Sequence, residues 1–178
     1  MNYLHIDKTS IADGLGVRTV LWVSGCTVGC KGCQNPESWN FNARKTYDNS
    51  AYDELMKSID KTYIKGVTIS GGHPLEDQSV YMILLLIHVI KDKFPSKDIW
   101  LYTGYKWEDI MDSSRTCFDY YRRSVVELCD VVVDGEFRID QHDSTLAFRG
   151  SKNQRIIDVK NTLMTGSIIP YNVNLLLP

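Results

Sequence analysis

Cys26, Cys30 and Cys33 stand within eight positions of one another, in the spacing C-x3-C-x2-C. Thiolates are soft ligands suited to iron–sulfur clusters, zinc or copper(I). The same spacing matches one face of a helix, so a buried apolar stripe is the alternative reading. Gly25, Gly29 and Gly32 weigh against it. Glycine disfavours a helix and suits a loop that wraps closely around something compact. Three thiolates do not fill a site that wants four donors. A cubane cluster held this way keeps one iron open to a substrate. A zinc ion would need a fourth ligand, for which His73 and His5 are the candidates. The spacing alone does not separate these cases.

A loop of this kind needs a frame. Arg18 to Ser24 is β-branched and aromatic and ends at Gly25, which predicts a strand running into the cysteine segment. Ser50 to Tyr63 has helical spacing at Tyr52, Leu55, Met56, Ile59 and Tyr63, with Ser50 as N-cap. Val67 to Ser70 is a second strand, stopped by Gly71-Gly72. Asp77 to Phe94 is a long helix whose core face carries Val80, Ile83, Leu84, Ile87 and Phe94. Leu85, Leu86 and Val89 widen that apolar surface. Asp98 to Thr103 is a third strand, Cys117 to Leu128 a helix, and Asp130 to Asp134 a fourth strand closed by Gly135. The alternation predicts an α/β fold with a mostly parallel sheet. In such folds the functional loops lie beyond the carboxyl ends of the strands. Cys26 to Cys33, Gly71 to Pro74, Thr103 to Tyr105, and Asp134-Gly135 all fall there.

The chain has 178 residues, 43% of them hydrophobic and 24% charged, with a formal net charge of -2. The length fits one domain over residues 1–178. No basic stripe of the kind a nucleic-acid binder uses is visible. Met1 to Asp7 lacks the charged start and apolar stretch of a signal peptide. The longest nearly apolar run, Tyr81 to Ile90, contains His88 and is too short to span a bilayer. The expectation is a soluble, cytoplasmic protein that binds neither nucleic acid nor membrane. Clustered cysteines in a reducing compartment point to metal or redox chemistry and not to disulfides.

C-x3-C-x2-C on the loop after the first strand resembles the signature of the radical S-adenosylmethionine superfamily. Within it the chain resembles the anaerobic ribonucleotide reductase activating enzymes. Asp13-Gly14-Leu15-Gly16-Val17-Arg18, Val23-Ser24-Gly25-Cys26, Gly32-Cys33 with Asn35, and Ser70-Gly71-Gly72 with Pro74-Leu75 match in order. Lys97-Asp98-Ile99-Trp100, Thr103-Gly104-Tyr105, Asp134-Gly135 with Phe137, and Arg149-Gly150-Ser151 with Asn153-Gln154-Arg155 continue the series. The match runs over about residues 1–155. Residues 156–178 form an extension that either covers the sheet edge or binds the partner.

The resemblance implies a partial (β/α) barrel and one 4Fe-4S cluster on Cys26, Cys30 and Cys33, with S-adenosylmethionine chelating the open iron. Reductive cleavage then gives a 5′-deoxyadenosyl radical, which takes a hydrogen atom from a glycine of the large subunit of the anaerobic ribonucleotide reductase. A flavodoxin is the usual electron donor. In such an enzyme the protein binds, orients and excludes water while the cofactors carry the chemistry, so no catalytic triad or carboxylate pair is expected. Ser70, Gly71 and Gly72 would approach the methionine moiety, and Gly32, Cys33 and Gln34 the adenine. Thr103 would line the pocket or simply turn the chain, and Asp134 would lie on the pocket's ribose side or form an ordinary turn with Gly135.

Three positions depart from the family pattern. His73 stands where an acidic residue is usual, and a neutral imidazole accepts a weaker bond from the substrate amine than a carboxylate does. Gln34 stands where an aromatic is common. Glu136 stands where a lysine is common, with Arg138 as a possible substitute. Ser151 to Gln154 reads as a capping box opening a short helix, and Arg149 and Arg155 are candidates for touching the partner. Cys117 and Cys129 are expected to be small buried hydrophobes. The competing readings are a pyruvate formate-lyase type activase, a deazaguanine synthase type enzyme, and a non-enzymatic Cys3His zinc module.

Overall fold

The structure is a computed structural model describing residues 1–42, 45–112 and 116–173. In chain order its elements are β1 (Asn2–Ser10), β2 (Arg18–Val23), β3 (Lys45–Thr46), α1 (Asn49–Ile59), β4 (Gly66–Gly71) and α2 (Val80–Lys93). They continue as β5 (Asp98–Tyr102), α3 (Trp107–Asp112), α4 (Cys117–Leu128), β6 (Val131–Asp134), β7 (Arg155–Asp158) and α5 (Val159–Thr165). The strands form one sheet in the order β3-β1-β2-β4-β5-β6-β7. β2, β4, β5 and β6 are parallel neighbours. β1 with β3 on one edge, and β7 on the other, run antiparallel to the strands they meet.

Side chains alternate across a strand, and here the two faces receive different residues. Leu21 and Val23 of β2, Val67 and Ile69 of β4, Ile99 and Leu101 of β5, Val132 of β6 and Ile157 of β7 belong to one cluster with α1, α2 and α4. Ile83, Ile87 and Ile90 of α2 and Leu55 and Ile59 of α1 are wholly buried against it. Each such side chain contributes about 1.5–3 kcal/mol relative to an exposed one. The opposite face holds a smaller cluster of Leu15, Trp100, Val131, Val133 and Ile156.

Beside that smaller cluster lies Arg18, fully buried. It donates from Nε to Thr68 Oγ1 (2.8 Å), from Nη1 to the Leu15 carbonyl (3.0 Å) and from Nη2 to the Val67 carbonyl (2.9 Å). It also pairs with Asp98 at 2.5 Å, and its guanidinium lies 5.2 Å from the Trp100 ring centre. A buried charge is tolerated only with partners of this number.

The parallel centre and the long helices match the sequence-based expectation, while the antiparallel edges were not anticipated. Helix α1 is capped by Asp48, whose side chain accepts from the Ala51 amide (3.0 Å), and not by Ser50. Tyr63 lies beyond its end and is exposed. Helix α2 starts at Val80, because Leu75 to Ser79 form turns. No helix opens at Ser151. Gln154 Oε1 accepts from the Gly150 (3.0 Å) and Ser151 (3.2 Å) amides, and the chain then enters β7. The capping box of this fold is at Thr116 and Asp119, before α4. Cys117, expected to be buried, is exposed, whereas Cys129 is buried. In the C-terminal extension, Pro170 bridges to Ile157 of β7, and the Tyr171 ring packs 5.4 Å from Trp100. The described part of that extension therefore covers a sheet edge; Leu175-Leu176-Leu177 lie outside the described residues.

Candidate metal centre and cofactor cavity

The cysteine segment leaves the carboxyl end of β2. Gly25 (φ 98°), Gly29 (φ 63°) and Gly32 (φ 77°) all adopt left-handed conformations, so the chain folds back on itself between the cysteines. Its first residues are anchored on both sides. The Gly25 amide donates to the Ser38 carbonyl (2.7 Å), and the Gly25 carbonyl accepts from the His73 amide (2.7 Å). The close approach explains the glycine at 72. A Cβ there would lie 2.5 Å from the Gly25 carbonyl oxygen.

The three thiols line one cavity of about 320 Å³ at the carboxyl ends of β2, β4 and β5. Burial pushes the Cys26 thiol up. Amides of Gly29 and Val28 pull it down, while Glu76 and Cys33 push it up again. Burial likewise raises Cys30, which the neighbouring Cys26, Cys33 and Glu136 reinforce against a hydrogen bond from the Phe137 amide. The Asn35 amide points at Cys33 Sγ (3.4 Å). Such an N–H donor suits a metal-bound thiolate sulfur.

The rest of the cavity comes from the open face of the sheet and from the loop before β7. Trp22, Ser70, Tyr102 and Phe148 line it. Tyr102 donates to the Phe148 carbonyl (2.9 Å), tying that loop over the sheet, and Phe148 takes a positive φ of 54° to make the turn. The indole N–H of Trp22 is buried without a partner. An unmatched donor in a cavity wall costs stability unless a ligand meets it. The wall offers three soft sulfur donors on one side and the polar side chains of Ser70, Thr103 and Gln34 elsewhere, which fits a cluster with a polar cosubstrate.

Most of the residues singled out from sequence meet here. Cys33, Gln34, Ser70, Gly71, Gly72, His73 and Thr103 all line the cavity. Gly32 does not, and faces Ile139 instead. Asp134 does not line it either. Its buried carboxylate accepts from the Trp107 amide (2.8 Å) and Arg155 Nε (3.0 Å), and it pairs with Arg155 Nη2. The cause is the antiparallel register that sets Arg155 opposite Asp134. Arg155 also forks onto Glu108 (2.8 and 2.7 Å), so it is committed inside the molecule. Arg138 pairs with Asp140 (3.1 Å). The cation in the cavity wall is Arg149, which donates to the Gln154 carbonyl (2.8 Å).

His73 is almost fully buried with both ring nitrogens engaged, Nδ1 with Glu76 Oε1 (3.2 Å) and Nε2 with Thr103 Oγ1 (2.8 Å). Tyr105 packs edge-on against it at 4.2 Å. His5 is exposed and stacked on Trp22 at 5.6 Å. His73 thus has no free nitrogen for a zinc ion on the thiols, and His5 does not line the cavity that holds them. Among the described residues no three His, Cys, Asp or Glu side chains are grouped to hold a single metal ion. Sequence reasoning missed Glu76, which carried no motif. It also missed Trp22 and Tyr102, although their place on the open face follows from strand alternation.

A family model described as a 4Fe-4S single cluster domain matches residues 12–157. Three curated relatives bear the name anaerobic ribonucleoside-triphosphate reductase-activating protein. The one from Haemophilus influenzae is 39% identical over 158 residues, covering 88% of this chain and 97% of that protein. The one from Escherichia coli K12 is 38% identical over 156 residues, with 86% and 96% covered. That of Enterobacteria phage T4 is 37% identical over 156 residues, with 88% and 93% covered. The chain belongs to this family of cluster-containing activating enzymes.

Proposed function

We propose that the chain activates an anaerobic ribonucleoside-triphosphate reductase from a single 4Fe-4S cluster held by Cys26, Cys30 and Cys33. The observation that carries this reading is the convergence of three thiols, from one glycine-bent loop, on a cavity at the carboxyl ends of parallel strands. When bound, the cluster and S-adenosylmethionine supply the electron and the 5′-deoxyadenosyl radical that takes hydrogen from a glycine of the reductase's large subunit. The protein's own residues do the rest. Cys26, Cys30 and Cys33 would hold the cluster as its three thiolate ligands. Gly71 and Gly72 keep the wall beside the cysteine loop free of side chains, so backbone polar groups can face the methionine moiety. Ser70, Gln34 and Thr103 offer polar contacts. Trp22, Tyr102 and Phe148 exclude water, which protects a radical from side reactions.

In the same reading the sheet is a partial barrel, supported by the cavity enclosed between its open face and the crossing loop. The electron donor is a flavodoxin-like protein, and the setting is the reducing cytoplasm. No helix among the described residues is long and apolar enough to cross a membrane. The test is anaerobic reconstitution, followed by incubation with reductant, S-adenosylmethionine and a competent reductase. A glycyl-radical resonance by electron paramagnetic resonance is the expected result. A brown, iron- and sulfide-containing protein that forms no glycyl radical would move the reading to another radical enzyme. A colourless protein holding one zinc would remove it altogether.

A further inference from the structure

Glu76 lies in the turn after β4, is 6% exposed, and faces His73 Nδ1. A carboxylate buried to this extent must be compensated. Its compensation comes from the cysteine loop. Glu76 Oε1 accepts from the Thr27 amide (2.7 Å) and the Thr27 hydroxyl (2.8 Å), with His73 Nδ1 at 3.2 Å. Burial alone would raise its pKa, but the bonds from His73 and Thr27 outweigh that and hold it down at about 2. Glu76 is therefore a fixed negative charge. Because a carboxylate only accepts, Nδ1 of His73 carries a hydrogen toward Glu76, while Nε2 meets the Thr103 hydroxyl at 2.8 Å. The Thr103 oxygen in turn accepts from the Tyr105 amide (3.1 Å).

The turn that carries Glu76 is itself immobilised. Arg122 of α4 donates from Nε to the Leu75 carbonyl (2.9 Å) and pairs with Asp77 and with Asp119 (2.8 Å). Cys26 is consequently bracketed by one rigid turn. On one flank the Gly25 carbonyl takes the His73 amide, and on the other Thr27 gives both its donors to Glu76. We propose that Glu76 is a positioning residue for the cluster: it braces the Cys26 flank of the cysteine loop against the turn after β4, and it sets a permanent negative charge beside that ligand. This rests on the cluster reading above. A charge so placed disfavours adding an electron to a cluster on Cys26, so it holds the reduction potential down.

Wild type, Glu76→Gln, Thr27→Val and the surface control Glu127→Gln are reconstituted anaerobically with iron and sulfide. Iron and sulfide content, midpoint potential and the electron paramagnetic resonance spectrum of the reduced cluster are compared. Glu76→Gln keeps the shape of the side chain and removes its charge. The expected result is an upward shift in potential and an altered spectrum. Thr27→Val keeps the amide donor and loses the hydroxyl, and a smaller change in spectrum is expected. Glu127→Gln is expected to match wild type. Wild-type content, potential and spectrum in both Glu76→Gln and Thr27→Val would overturn the inference while leaving the function intact. A wild-type protein that takes up no cluster would overturn the functional reading, and the inference with it. Should Glu76→Gln fail to fold, Thr27→Val decides the bracing role, and a wild-type spectrum in it overturns that role.

Discussion

On the helix-covered face of the sheet Leu21, Ile69, Ile99 and Leu101 are wholly buried within one large apolar cluster. On the other face the same strands carry Arg18, Trp22, Thr68, Ser70 and Tyr102. The first face works by area, and any side chains of similar volume would serve it. The second works by pairing. Arg18, Thr68 and Tyr102 each hold a specific partner, and those partners come from as far along the chain as Asp98 and Phe148. One face holds the molecule together, and the other holds the site open.

The largest expected effect tests whether the two faces are separable. Cys30→Ala removes one of three cluster ligands without touching the helix-covered core. Iron and sulfide binding should fall to background, and glycyl-radical formation with it. The thermal midpoint of the cluster-free protein should stay at its wild-type value. A cluster-free variant that unfolds well below cluster-free wild type would show that the thiol loop also supports the fold.

A matched pair sharpens the comparison. Arg18→Met keeps the length of the side chain and strands the carbonyls and the carboxylate it served, at about 3–5 kcal/mol by urea unfolding. Leu101→Ala opens a cavity in the helix-covered core and costs about 2–5 kcal/mol, yet should leave the spectrum of the reduced cluster unchanged. A neutral Arg18→Met would mean that apolar packing can replace the polar base of the open face. A changed spectrum in Leu101→Ala would mean that strain crosses the sheet.

The same division explains what the sequence revealed. The helix-covered face was legible because burial writes itself as periodicity: β2, β4, β5, β6, α2 and α4 all follow from it. The thiol loop was legible because chemistry writes itself as spacing. The edges were not. β3 is two residues long, β1 mixes Asp7, Lys8 and Thr9 with its apolar residues, and β7 is only Arg-Ile-Ile-Asp. Asp134 misled for a related reason. An aspartate at a strand end before glycine fits both a pocket residue and a paired one, and only the register with Arg155 decides. His73 is similar: its type suggested a ligand contact, but Glu76 and Thr103 occupy both of its nitrogens. Long-range polar partners leave no periodic trace.

The smallest effect concerns the cluster of charge behind Asp134. A bidentate bond from Arg155 holds the Glu108 carboxyl down at about 2, well below its ordinary 4.5. A carboxyl depressed by folding lends stability that is complete above its unfolded value and is lost as the pH falls toward the folded one. Glu108→Gln should therefore destabilise the protein at neutral pH, and its deficit should close between about pH 4.5 and pH 2. Because the Glu108 side chain is 51% exposed, solvent screening limits the cost to about 0.2–1 kcal/mol. Arg155 keeps Asp134 as its second partner in the variant, so β7 should stay paired and the cavity unchanged. Denaturant unfolding of both proteins at several pH values measures this directly. A deficit that persists unchanged at pH 2 would assign the effect to packing at the β6–β7 edge, and polar pairing on this side of the sheet would then count for less than its geometry suggests.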